Sequence, residues 1–143
     1  MSGLRFLAQL HGHIGWLAAA SLLHPVFVLR GGRGRGVAIA ASGLTLFTFG
    51  FGSALYPSYR EEVKRALFVS HPTVGWAFER KEHLAFSAVA LAVAGLLAVR
   101  VADTRPELGD VALRLARRAY AAAFVFAVLV AAIGTWVASV RSF

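Results

Sequence analysis

His11, His13, His24, His71 and His83 are the residues of this 143-residue chain best suited to chemistry. Imidazole is the commonest side-chain ligand for transition metals and the side chain that exchanges protons near neutral pH. The chain has no cysteine, so thiolate ligands, iron–sulfur clusters and disulfides are excluded, and Met1 is its one thioether. Glu79 precedes His83 by four residues, a spacing that puts both on one helix face, and Glu82 adjoins it. With His13, and with His11 or His71 in reserve, Glu79, Glu82 and His83 make a nitrogen and oxygen donor set of the kind that holds zinc, copper or non-haem iron. The Glu-x-x-His spacing of a di-iron bundle is missing. Gly-x-Ser-x-Gly and His-Glu-x-x-His are missing too, and Ser21, Ser42, Ser53 and Ser87 lie in apolar stretches as packing residues, which argues against a hydrolase. The glycine-rich run from Gly31 to Gly36 follows no strand and carries no Gly-Lys-Ser/Thr, so it reads as a turn and not as a phosphate loop.

The elements that position these residues belong in lipid. Apolar residues make up 58% of the chain and the mean hydropathy is +0.66, more than a soluble domain of this size needs for its core. Four stretches lack Asp, Glu, Lys and Arg: 6–29, 36–59, 84–99 and 119–140, of 24, 24, 16 and 22 residues. About 20 helical residues cross a hydrocarbon core of ~30 Å, so three stretches suffice and the third falls short. Completing that third span draws Lys81, Glu82 and His83 to the edge of the hydrocarbon or inside it. The net charge of +8 comes from arginines between apolar runs, which marks membrane-flanking anchors and not a nucleic-acid surface. The first stretch is too long for a secretory signal and has only Arg5 as its basic flank.

The expected fold is therefore all-α: one polytopic membrane domain over 1–143, with four transmembrane helices near 4–29, 37–57, 74–101 and 108–140 in an up-down-up-down bundle. A capping-box pattern at Ser58 to Glu61 announces a short interfacial helix near 59–70, which Pro72 ends. Small residues recur at helical spacing as Ala8, Gly12, Gly15 and Ala19; Ala41, Thr45, Thr48 and Gly52; Ala88, Ala92 and Gly95; and Ala127, Ala131, Gly134 and Ala138, stripes that let membrane helices approach closely. Tyr56, Tyr59, Trp76 and Trp136 form an aromatic belt at the Arg60 end. Lys and Arg nearly balance between the two ends, eight at the Arg30 and Arg100 end against seven, which leans towards termini outside in a bacterial-type inner membrane.

Depth pairs two of the histidines. His13 precedes Arg30 by 17 residues and His83 precedes Arg100 by 17, so in helices of the same direction both lie about 25 Å from one face. His24, 11 residues beyond His13, falls within about 20° of the same face of the first helix, and His11 points almost oppositely. Two histidines stacked on one helix of a four-helix membrane protein resemble the plan of b-type cytochromes, which hold haem between paired imidazoles. That resemblance implies His13 and His83 as axial ligands of a haem b, His24 as a further candidate, Arg80, Lys81 or Arg5 for the propionates, and electron transfer with a quinone or other redox partner. The competing expectation is a non-catalytic accessory subunit of a larger membrane complex or homo-oligomer, with the histidines bonded to backbone carbonyls and His24 beside the Pro25 kink. Neither expectation is a stand-alone enzyme.

Overall fold

The computed structural model describes residues 3–31 and 34–141; Met1, and Gly32 and Arg33 of the glycine-rich turn, lie outside the described residues. Five α-helices account for nearly all of it: α1 Gly3–Val28, α2 Arg35–Tyr59, α3 Arg65–Ser70, α4 Pro72–Thr104 and α5 Gly109–Val140. Among the described residues, three helical runs are long and apolar enough to cross a membrane: Arg35–Ser70, Pro72–Thr104 and Pro106–Val140. Gln9, His11, His13 and His24 dilute the hydropathy of α1, which is not among the three although its 26 residues would extend about 39 Å.

Packing joins α1 to α2, α1 to α5, α2 to α4 and α4 to α5, which closes a ring in which α1 and α4 stand opposite one another. Small residues make the close approaches. Ala18 and Ala19 of α1, Ala38 and Ala41 of α2, Ala88, Ala92 and Gly95 of α4, and Ala112, Ala116 and Ala123 of α5 are all buried. Of the stripe expected on α1, Ala19 alone is buried: Gly12 is exposed, no atom of another residue would meet a Cβ at Gly12 or Gly15, and the buried face runs through Ala18, Ala19, Leu22 and Pro25.

At the centre Tyr120 is fully buried and threads α5 to two other helices. Its Oη lies 3.2 Å from the Ala38 carbonyl and 2.9 Å from Ser42 Oγ, which in turn donates to the Ala92 carbonyl at 3.1 Å. Each hydroxyl thereby meets its demand for partners where water is excluded. At the Arg30 end, Arg117 Nε donates to the Val26 carbonyl at 3.0 Å, so a cation from α5 caps the C-terminal turn of α1. Gly34 starts α2 with φ of 110°, and a Cβ there would stand 2.6 Å from Val28 Cγ1, so both backbone and space require glycine.

The second helix does not stop at Ser58. The run from Arg35 to Ser70 is continuous, with a π turn over Arg60–Lys64 following Pro57, which has no amide hydrogen to give to the preceding turn. Ser58 to Glu61 thus continues helix, and the expected capping box is not formed. The π turn rotates the chain so that Val63 and Leu67 are buried with Val74, Phe78 and Val137 in a second core. The break falls at His71, with φ of −142°, and Pro72 opens α4 at its first position, where a missing amide hydrogen costs nothing.

Candidate functional site

Because α4 runs unbroken through 79–83, one helix distributes all five of those residues over its faces. Arg80 and His83 are exposed, whereas Glu79, Lys81 and Glu82 are half-buried against the other helices. Lys64, delivered by the last residue of the π turn, pairs with Glu79 at 2.5 Å and donates to Tyr56 Oη at 3.0 Å. Its ammonium also lies 5.8 Å from the centre of the Phe78 ring, on which Tyr59 stacks at 4.9 Å. Lys81 Nζ stands 4.7 Å from the Phe78 centroid and reaches toward Gly134 of α5.

Two polar atoms near this level are buried without a hydrogen-bond partner: Nδ1 of His11 and Oε1 of Glu82. Lys81 acts electrostatically on both. His11 is held edge-on to Phe51, with ring centres 5.6 Å apart, and lies against Gly52, where an added Cβ would come within 2.8 Å of its Cε1. His11, Tyr56, Lys64, Glu79, Lys81 and Glu82 therefore form one polar cluster drawn from α1, α2, the π turn and α4, with α5 alongside. Its formal charges balance, two lysines against two glutamates. The cluster holds histidine, glutamate and lysine, side chains that exchange protons, with polar atoms on His11 and Glu82 left open, in surroundings where unmet polarity is costly.

The haem and metal candidates are placed differently. His13 is exposed on α1, its Nδ1 2.7 Å from the Gln9 carbonyl; His24 is exposed on the same side, and His83 is exposed on α4. Since α1 and α4 stand opposite in the ring, exposed imidazoles on them do not share the interior. His13 and His83 are thus exposed on two helices that do not pack on one another, an arrangement that encloses nothing between their rings. The residues do not fit a haem enclosed within one chain. Among the described residues no group of three or more His, Asp or Glu side chains is arranged to hold a metal ion, so His13, His83, Glu79 and Glu82 are not assembled into one. Glu79 is engaged by Lys64, and His71 is exposed with its Nδ1 3.0 Å from Ser70 Oγ.

Comparison with protein-family models, with curated proteins and with solved structures returns no match to this chain. The site is read from its own geometry. Sequence reasoning reached Glu79, Lys81 and Glu82 but set His11 aside in favour of His13. A signal for His11 existed: it precedes Ala18, Leu22 and Pro25 by 7, 11 and 14 residues, all near-integral turns of helix, so it shares the face that those small and apolar residues bury.

Proposed function

We propose that the chain is an integral membrane protein whose four long helices cross the bilayer up-down-up-down, and that it serves as a proton-handling subunit of a larger membrane assembly. The crossing of α1 is part of this reading. It is supported by its packing between α2 and α5 and by the exposed Leu17, Leu23 and Phe27 along its outer face, which suit acyl chains. The observation that carries the functional reading is the pair of open buried atoms, His11 Nδ1 and Glu82 Oε1, on residues that the Lys81 charge reaches electrostatically. Charged and titratable groups at membrane depth are expensive and are retained where they bind or move charge. Glu82 and His11 would take up and release the proton, and Lys81 would hold the opposing charge in place against Phe78.

Infrared difference spectra between acidic and alkaline samples of the detergent-purified protein test this reading. Among the carboxyl bands of the parent chain, the one at the high frequency of a buried group without a hydrogen bond is expected to vanish in Glu82→Gln and to persist in Glu62→Gln, whose side chain is exposed. An unchanged band in Glu82→Gln would refute the assignment.

A second reading keeps the redox ligand and moves it to the protein surface. With Nδ1 bonded to the Gln9 carbonyl, His13 leaves Nε2 outward and unencumbered, the arrangement of an imidazole ready to ligate. A haem b or transition metal held there would lie between this chain and another subunit or second copy, with His83, or His24 on the same side of α1, serving a neighbouring contact. Oxidised and reduced absorption spectra with metal analysis decide it: haem lost on His13→Ala would support the surface ligand, and a colourless, metal-free assembly would leave an accessory role.

A further inference from the structure

At the opposite end of the helices, α2 and α4 leave a groove of about 290 Å³ open on their outer surface. Its floor is aliphatic, from Ile39, Leu96 and Leu97, and its lip carries Arg35, Arg100 and Asp103. The two antiparallel helices build it by the same device. Arg35 stands four residues before Ile39 at the start of α2, and Arg100 stands four residues after Leu96 near the end of α4. Each helix thus places a guanidinium at the lip and an aliphatic side chain one turn, about 5.4 Å, deeper. Ile39 and Leu97 are 50% and 60% exposed, so the floor presents apolar surface outward instead of packing it away.

The charges at the lip are not self-cancelling. Arg35 bonds Asp103 at 3.3 Å with both side chains partly open, which orients its guanidinium without covering it. Arg100 is exposed and, among the described residues, has no carboxylate within ion-pair distance. Two arginines against one aspartate leave a positive lip above an apolar floor. The surrounding end repeats the sign, with Arg30, Arg105, Arg114 and Arg118 against Glu107 and Asp110. A zwitterionic headgroup gains little from such a lip, whereas an anionic phosphodiester can meet Arg100 directly and Arg35 alongside.

We propose that this groove seats an anionic diacyl phospholipid, its phosphate at Arg100 and Arg35 and one acyl chain along Ile39, Leu96 and Leu97. The inference depends only on these helices lying in a bilayer, and it stands whether or not the polar cluster at the other end moves protons. One consequence is a preferred attachment of this end to the leaflet richer in anionic lipid.

Native mass spectrometry of the full chain in neutral detergent tests the proposal, with phosphatidylglycerol, phosphatidylcholine or glycerol phosphate added at equal concentration. One phosphatidylglycerol is expected to bind in preference to phosphatidylcholine, and Arg100→Gln to weaken that binding about fivefold, the factor of one arginine near an anionic surface. Leu97→Trp, which fills the floor and leaves the charges, is expected to reduce it as well, whereas Arg114→Gln, at the same end but outside the groove, is expected to leave it unchanged. Equal binding of the two lipids would overturn the proposal, as would equal loss in Arg114→Gln. Retention of glycerol phosphate as strongly as the diacyl lipid would show a headgroup site without a groove. Loss of self-association in Leu97→Trp with lipid binding intact would assign the groove to a second copy and equally overturn it.

Discussion

Leucine at Gly95 is expected to prevent the helices from packing, and alanine there to weaken the protein measurably. A Cβ on Gly95 would stand 2.9 Å from Cε2 of Tyr120 and 3.0 Å from Cδ2, closer than carbon atoms pack. The ring has nowhere to go. It is fully buried, its hydroxyl is tied to the Ala38 carbonyl and to Ser42, and Ala92, one turn from Gly95, carries the carbonyl that receives the Ser42 proton. Relief therefore means parting α4 from α5 or pulling the phenol from its partners. Overpacking a close-packed interior costs about 1–3 kcal/mol, and leaving buried hydroxyls or carbonyls unmet adds about 1–3 kcal/mol each. Gly95→Ala should lie at the lower end of the first range, and Gly95→Leu should exceed it. Reversible unfolding in detergent, followed by helical signal, gives the numbers. The decisive comparison is a second change: Tyr120→Leu, destabilising alone, should partly rescue Gly95→Ala because it removes the obstructing ring, whereas Tyr120→Phe should not. Additive losses in the first double variant would mean that the contact does not limit packing.

This contact shows which features the sequence carried. Helical class follows from long apolar runs, and the small-residue stripes on α2 and α4 mark the faces that approach, since Ala41, Thr45, Ala88, Ala92 and Gly95 are all buried. Tyr120 escaped notice because nothing in its neighbourhood marks it: it sits among alanines, and only the distance to Gly95 and the carbonyls of α2 gives it a role. The histidines show the other limit. Helical periodicity correctly relates His13 to His24 and opposes both to His11, but relative angle does not say which face is inward. The weighting fell on the pair, and the structure turns the pair outward and the single residue inward. Depth matching has the same weakness, because equal height on opposite helices produces a shared site only when both side chains point between them. The π turn was hidden for a different reason. Ser58 to Glu61 satisfies the pattern of a helix start, but a start requires a preceding break, and the apolar residues before it kept the chain helical through Pro57.

The π turn also fixes the second large effect. Breaking Lys64 from Glu79 is expected to destabilise the protein by about 2 kcal/mol, between the 0–1 kcal/mol of exposed pairs and the 3–5 kcal/mol of buried pairs that lose one partner. The intermediate value follows from the geometry: the Lys64 side chain is 14% exposed and that of Glu79 33%, so the charges are partly withdrawn from water. Lys64→Met would strand the Glu79 carboxylate beside Glu82 and remove the donor from Tyr56, so the local balance of two cations against two anions would become one against two. Glu79→Gln keeps a hydrogen-bond acceptor while deleting the charge, and should cost less. If the pair acts as a unit, Lys64→Met combined with Glu79→Leu should recover most of the loss, because apolar side chains at both positions leave no unpaired charge next to Val63, Leu67 and Phe78. The double-mutant cycle is read in the same detergent unfolding experiment. A double variant as unstable as the sum of the singles would mean that the pair is held by the fold without supporting it. Recovery would mean that the loss in each single variant is the cost of a partly buried charge left without its partner, so that lysine and glutamate act as a unit between the π turn and α4.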